Sequence, residues 1–231
     1  MANYHSVILR KGKEGNMFKR HPWVFSGAIQ VGAEVEDGDP VFLKDYKHNT
    51  VATGHYSSQG SIAVRILSFQ EEEINVNFWQ NRLQQAFTLR QTLGLPNAET
   101  NCYRLIHGEG DGIPGLIIDI YGQAAVIQCH AAGIYRAVDD IAEALKLVMP
   151  DLKVIYNKSD DTLHGYEVEN EYLLGDSSHK EEVIEHGINY HLDWEGGQKT
   201  GFFLDQRDAR ELLQHYSKDK KVLNTFSYSG G

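Results

Sequence analysis

Residues 194–231 read WEGGQKTGFFLDQRDARELLQHYSKDKKVLNTFSYSGG, and the order of elements within that stretch decides the fold. A glycine-rich loop, Trp194 to Phe203, comes first. Leu204–Ser217 then has helical spacing, with Asp205 at its start and Leu212, Leu213 and Tyr216 on the side expected to face inward. Lys221 to Phe226 reads as a buried strand, and it runs into the turn Ser227-Tyr228-Ser229-Gly230-Gly231. A strand followed by a glycine turn is how a nucleotide-binding α/β sheet begins.

Upstream of that stretch, Asn101 to about Asp193 reads as α+β. Cys102–Ile106, Gly115–Tyr121, Gln123–His130 and Val154–Asn157 have strand character. Arg136–Met149 is an amphipathic helix, with Val138, Ile141, Leu145 and Val148 on one stripe and Pro150 as its stop. Val183–Glu185 and Ile188–Asp193 form a hairpin across His186-Gly187. Glu109 to Gly115 is turn chemistry: glycines for positive φ, and Pro114 for a fixed one.

Further out, a connector helix follows Glu71-Glu72-Glu73, whose charges suit an N-terminus, and ends at Gly94 and Pro96. Before it lie short strand-like runs at Ser6–Leu9, Val41–Lys44, Val51–Tyr56 and Ser61–Ile66, separated by glycine turns. That spacing suggests a small β-barrel. His21-Pro22-Trp23 predicts a short helix over Pro22–Ser26. Trp23 or Phe25, at least one of the two, is expected inside the barrel.

The chain has 231 residues, 41% apolar and 23% charged, which is ordinary globular composition. No apolar run approaches the ~20 residues that cross a bilayer, and the N-terminus has no apolar stretch with a small-residue cleavage site. Two cysteines make no disulfide framework and no zinc pattern, so the expectation is a reduced, cytoplasmic protein. The eleven histidines show no H-x-x-x-H spacing, and no metal is assigned. Net charge is −10. The first 33 residues carry Arg10, Lys11, Lys13, Lys19 and Arg20 against Glu14, a local +4 that leaves −14 for the rest. A basic patch on an acidic body can still grip phosphates, because screening confines charge effects to about 10 Å at 0.1 M salt.

Four stretches together resemble the RlmI-like family of S-adenosyl-L-methionine-dependent ribosomal RNA methyltransferases. They are Leu9–Gly12 continuing through His21-Pro22-Trp23-Val24-Phe25-Ser26-Gly27; Asp111–Asp119; Gly197–Arg207; and Val222–Gly231. Their order and spacing agree with the family. The resemblance implies a PUA-like RNA-binding β-barrel at 1–70, a connector helix and an α+β (EEHEE-type) middle domain at 71–190, and the start of a Rossmann-like methyltransferase domain at 191–231.

The resemblance also implies roles. Lys199, Thr200, Gly201, Phe203, Asp205 and Arg207 would sit beside S-adenosylmethionine. Lys199 would offer an ammonium to its carboxylate and Phe203 would lie against its adenine or methionyl chain. Asp205 would cap the next helix, and Arg207 would hold Asp205 or a phosphate; a cap and an ion pair alone would serve equally well for these two. Asn224, Phe226, Ser227, Tyr228 and Gly230 resemble the first cofactor motif, whose glycines let the backbone approach the ligand. Arg10, Lys11, Lys19, Arg20, His21 and Trp23 would form the face for ribosomal RNA, through phosphate contacts and base stacking.

The resemblance implies methylation at C5 of a cytosine in large-subunit rRNA, and a homodimer. C5 chemistry needs a thiolate adding at C6. Cys102 and Cys129 do not match the family's catalytic position, which falls beyond Gly231, and both read as packing residues. The chain as given is therefore expected to bind the cofactor weakly or not at all and to transfer no methyl group. Two other classes stay open. A non-catalytic RNA-binding adaptor would explain the basic N-terminal segment. A nicotinamide dehydrogenase would explain the strand and Gly-Gly turn but not Gly197–Arg207.

Overall fold

A computed structural model describes residues 4–32, 34–179 and 181–225. The first sheet is built from β1 (His5–Leu9), β2 (Trp23–Phe25), β3 (Ile29–Val31), β4 (Pro40–Lys44), β5 (Thr50–Tyr56) and β6 (Ile62–Ser68), with a short helix α1 at Gly15–Phe18. Its order is β2-β6-β5-β4-β1-β3, all antiparallel except the β1–β4 pair. Alternate residues point inward, so Val7, Leu9, Val24, Val41, Leu43, Val64 and Ile66 form one core.

Two expectations about residues 22–26 fail here. The segment is strand β2, not a helix: it pairs with β6 through Trp23↔Arg65 and Val24↔Val64. Proline fixes one φ, whereas a neighbouring strand satisfies the backbone of the whole run. Period two then sends Val24 inward, so neither Trp23, which is partly exposed, nor Phe25, which is exposed, enters the core.

Helix α2 (Val76–Thr92) leads out of that sheet. Its start is set by Asn75, whose Oδ1 accepts from the Phe78 amide at 3.1 Å. The Glu71–Glu73 run is not in its first turn, because a side-chain acceptor at the N-cap outweighs a diffuse dipole effect.

The second sheet runs β11-β10-β9-β8-β7, from β7 (Cys102–His107), β8 (Leu116–Tyr121), β9 (Ala124–Cys129), β10 (Val154–Asn157) and β11 (Glu171–Leu174). Strands β9 and β10 are parallel, and α3 (Ala132–Arg136) with α4 (Val138–Val148) forms the crossover. Every residue of β9 is buried, alternating between two faces. Ala125 and Ile127 meet the α2/α4 side; Ala124 and Val126 meet Trp194 and Phe202 on the other. The hairpin β12 (Val183–Glu185) and β13 (Ile188–Tyr190) turns at His186 (φ +49°) and Gly187 (φ +76°).

The two sheets form one joined body. The Trp23 indole donates to Glu109 at 2.8 Å, Arg136 pairs with Asp39 at 2.8 Å, and the Tyr166 hydroxyl donates to Asp37. His55 of β5 is buried beneath α3, where a Cβ on Gly133 would run into its ring.

The C-terminal part departs furthest from expectation. Helix α5 spans Arg207–Ser217, after a single 3-10 turn at Leu204–Gln206. Leu212, Leu213 and Tyr216 are exposed rather than inward. Lys221–Thr225 form no strand, and Leu223 is 86% exposed. A central parallel strand is held by ladders to neighbours, and no described strand pairs with this run. Phe226 to Gly231 lie outside the described residues.

Candidate functional site

The glycine-rich loop is held from several directions. Asp193 accepts from the Gly196 amide at 2.8 Å, and its carbonyl accepts from Gly197 at 2.9 Å. The buried Lys158 ammonium donates to the Gly197 carbonyl. The Trp194 indole donates to the Tyr172 hydroxyl at 3.2 Å. Gly201 has φ +112°, and a Cβ there would stand 3.0 Å from the Trp194 Cα, so only glycine closes the loop this tightly.

Thr200 anchors the loop to the sheet. Fully buried, it donates to Asp119 Oδ2 at 2.6 Å and lies 2.8 Å from the Tyr121 hydroxyl. Asp119 is itself fully buried, and Arg104 holds it with two parallel bonds of 2.8 and 2.9 Å. Burial, reinforced by the Asp119 charge, pushes the Tyr121 phenol well above its usual range, so it stays a neutral partner. Lys199, next to this anchor, has φ +55° and is exposed, and its ammonium has no ion-pair partner among the described residues. His130, directly after β9, lies within the field of Lys199. Burial, then the Lys199 and Arg104 charges, hold its imidazole below the ordinary value.

A second network, invisible to motif reading, locks the loop's exit. Glu185 is 1% exposed and accepts from Arg207 at 3.1 Å and from Arg210 at 2.7 and 3.0 Å. Arg207 also donates to the Cys102 carbonyl. Arg210 lies 4.2 Å over the Phe202 ring, which packs 4.9 Å from Tyr190.

Among the expected cofactor residues, the structure thus brings Lys199, Thr200, Gly201 and Phe203 into one loop and gives two others different work. Arg207 holds Glu185 rather than Asp205, since a buried carboxylate left unpaired would cost more than an exposed one. Asp205 caps nothing: Gln206 occupies the N-cap of α5, and no side chain caps it. Asn224 is exposed in the tail, and Phe226, Ser227, Tyr228 and Gly230 lie outside the described residues. Sequence reading missed Asp119, Arg104, Lys158, Glu185, Arg210 and Phe202. Their one visible signal was an acid or base inside an apolar strand, at Asp119 and Glu185.

A groove of about 510 Å³ runs between the β12–β13 hairpin and α5, lined by Glu185, Tyr190, Arg210, Leu213 and Val222. It contains none of Lys199, Thr200, Gly201 or Phe203. The charged and glycine chemistry sits at the loop, not in this groove.

On the first sheet, Arg20, His21 and Trp23 come together. The Arg20 guanidinium lies 4.9 Å over the Phe69 ring, His21 Nδ1 accepts from the Trp23 amide at 3.1 Å, and the two rings meet edge-on at 5.7 Å. Lys19 is exposed beside them. Arg10 instead donates to the Ile29 carbonyl at 3.0 Å, and Lys11 lies 5.8 Å over Tyr46. Both cysteines are fully buried; burial pushes Cys102 up to about 11 and Cys129 up to about 12, which favours protonated thiols at neutral pH.

Residues 7–69 match the PUA-like domain family, and residues 161–231 match the S-adenosylmethionine-dependent methyltransferase family. Over 97% of its length the chain is 40% identical to ribosomal RNA large subunit methyltransferase I of Alteromonas mediterranea. Over 98% it is 40% identical to the protein of that name in Photobacterium profundum. It spans 57% and 58% of those relatives' lengths. Among solved structures, a putative SAM-dependent methyltransferase from Streptococcus mutans covers 90% of the chain at 23% identity with a TM-score of 0.75, the chain matching 54% of that protein. A second putative methyltransferase, solved in complex with SAH, matches with the same TM-score and identity. At that identity the structural matches show likeness of fold alone, and the PUA-like and methyltransferase assignments rest on the two family matches.

Proposed function

We propose, from the premise that this chain belongs by sequence to the RlmI-like family of S-adenosylmethionine-dependent methyltransferases, that it docks large-subunit ribosomal RNA and presents one side of the cofactor site. The modules are 1–70 for RNA, 71–190 as the connecting α+β body, and 191–231 for the cofactor. The observation that carries this reading is the loop pinned through Thr200 to the buried Asp119–Arg104 pair. Such a loop offers preorganised backbone at a fixed place, which is what in-line group transfer needs.

The residues present fit the cofactor on this side. Lys199 has an ammonium with no internal ion pair to attract a carboxylate, and Phe203 adds an aromatic surface in the same loop. Bound S-adenosylmethionine supplies an electrophilic methyl carbon. What the chain itself does is orient and exclude water: Thr200 and Gly201 fix the loop, and Arg207 and Arg210 brace it through Glu185. Arg10, Lys11, Lys19, Arg20, His21 and Trp23 grip the RNA. The target within this reading is C5 of a cytosine. Cys102 and Cys129, both buried and protonated, are not read as the source of the thiolate that adds at C6. The setting is the cytoplasm and the assembly a homodimer; no helix among the described residues is long and apolar enough to cross a membrane.

The test is incubation of the protein with large-subunit rRNA and methyl-labelled S-adenosylmethionine, with nucleoside mass spectrometry and filter retention of the RNA. Label in 5-methylcytidine is the expected result. Label in another nucleoside overturns the C5 assignment, and unretained RNA overturns the docking role. One observation favours a second reading, an RNA-binding adaptor without catalysis: the basic N-terminal segment stands beside the partly exposed Trp23 and the exposed Phe25. Retained RNA with no label transferred selects that reading.

A further inference from the structure

Arg65 stands where the two sheets meet. It projects from β6, opposite Trp23 on one neighbouring strand and His55 on the other. The guanidinium is more than half withdrawn from solvent, yet among the described residues it makes no hydrogen bond and no ion pair. Nearby acids are already engaged: Glu109 accepts from the Trp23 indole, and Asp37 accepts from Ser58 and Tyr166. An arginine does not lose its charge, so a half-buried one without a partner is a standing cost unless an anion from outside meets it.

The surroundings say what kind of anion. Two open grooves, of about 240 and 220 Å³, meet at Arg65 and share His130. The first passes Trp23, Ile62 and Gly115; the second passes Gln59, His164 and Tyr166. A small metabolite is held in an enclosure, whereas a groove open on both sides of one guanidinium suits a chain that continues in both directions. His130 in turn lies within the fields of Lys199, Arg104 and Arg65, against the single opposing charge of Glu109, so a net positive path runs from Arg65 on the first sheet toward the glycine-rich loop. Trp23 beside it supplies an aromatic face for an unstacked base.

We propose that Arg65 seats a backbone phosphate of single-stranded RNA at the junction of the two sheets, with His130 beside it on the path toward Lys199. The proposal deepens the RNA-docking reading and rests on it. It places the strand in a cleft between the modules, beyond the basic N-terminal residues already assigned.

The experiment is fluorescence anisotropy of the 231-residue chain with a labelled single-stranded RNA of mixed sequence, titrated at several salt concentrations. For Arg65→Gln, with an unchanged melting temperature, affinity falls roughly tenfold at ~0.1 M salt. The slope of log K against log salt becomes shallower by about 0.7, the value for one phosphate on a single strand. Arg65→Lys keeps the slope. His130→Glu, at an exposed position that leaves folding intact, weakens binding similarly and decides the matter if Arg65→Gln does not fold. The assignment falls if both variants bind with wild-type affinity and slope while Lys11→Gln combined with Lys19→Gln weakens binding; RNA docking then stands without this seat. If the unaltered chain binds no RNA, the docking reading falls and takes the seat with it.

Discussion

Strand β9 and the tail at 221–225 carry the same kind of apolar signal and meet opposite fates. Ala124–Cys129 is buried at every position, between β8 and β10 and between two packed faces. Val222 and Leu223 have no described strand on either side and stand 54% and 86% exposed. Apolarity gives a segment a reason to be buried; only neighbouring strands and a covering layer give it a place. The contrast extends to charge. Asp119 in β8 is fully buried and satisfied by Arg104 and Thr200, whereas Lys199, one residue before Thr200, faces solvent with no ion pair among the described residues.

The contrast breaks most visibly at Arg104. Arg104→Ala leaves the Asp119 carboxylate buried with Thr200 as its remaining described side-chain partner, and stability should fall by about 3–5 kcal/mol in urea denaturation. Because Thr200 shares that carboxylate, the glycine-rich loop should loosen too, seen as faster amide exchange at 197–201. A loss under ~1 kcal/mol would mean that Asp119 is not dependent on its ion pair.

His55 sharpens the same point through pH. Burial, then the Arg65 and Arg136 charges, hold its pKa down at about 4 against an ordinary 6.5. The unfolded chain takes up a proton below 6.5 that the folded chain refuses until about 4. Stability that is complete above pH 6.5 is therefore lost as pH falls through that window, by up to about 3 kcal/mol. In His55→Gln the total loss of stability between pH 6.5 and 4 should be smaller by that amount; an unchanged loss would show that His55 charges freely.

Next in size is Gly133→Ala, which drives a methyl group into the His55 ring at the seam between the sheets. Overpacking of this kind costs about 1–3 kcal/mol. Combining it with His55→Ala should recover most of the loss, a coupling readable in a double-mutant cycle. Additive losses would show that the two residues do not touch.

Periodicity made the interior legible. Short strand-like runs between turn signals placed β4, β5, β8 and β9, and the Val138–Val148 stripe placed α4, because each of these elements has its partners within the chain. It failed at Trp23, where pairing with β6 overrode a proline signal, and at β11, whose Glu171-Tyr172-Leu173-Leu174 lies among acidic residues and lacks alternation. The glycine-rich loop was legible as a motif, yet what holds it was not. Lys158, Glu185 and Arg104 are far from it in sequence and meet it only through the sheet. Arg65 gave no signal at all: one base in a strand becomes notable only when the fold leaves it without an acid.

The smallest expected effect tests the comparison from its exposed side. Leu213 lies on α5 and is 47% exposed, so Leu213→Ser should shift stability by no more than ~0.5 kcal/mol. The matched change inside the second sheet, Ile127→Ala, removes a fully buried side chain between α4 and the strands and should cost about 2–5 kcal/mol. The pair measures what a covering layer is worth to the same class of residue. A cost of 2 kcal/mol or more at Leu213 would mean that α5 is covered in solution. Sedimentation would then separate a second copy, whose contribution grows with protein concentration, from an intramolecular cover, whose contribution does not.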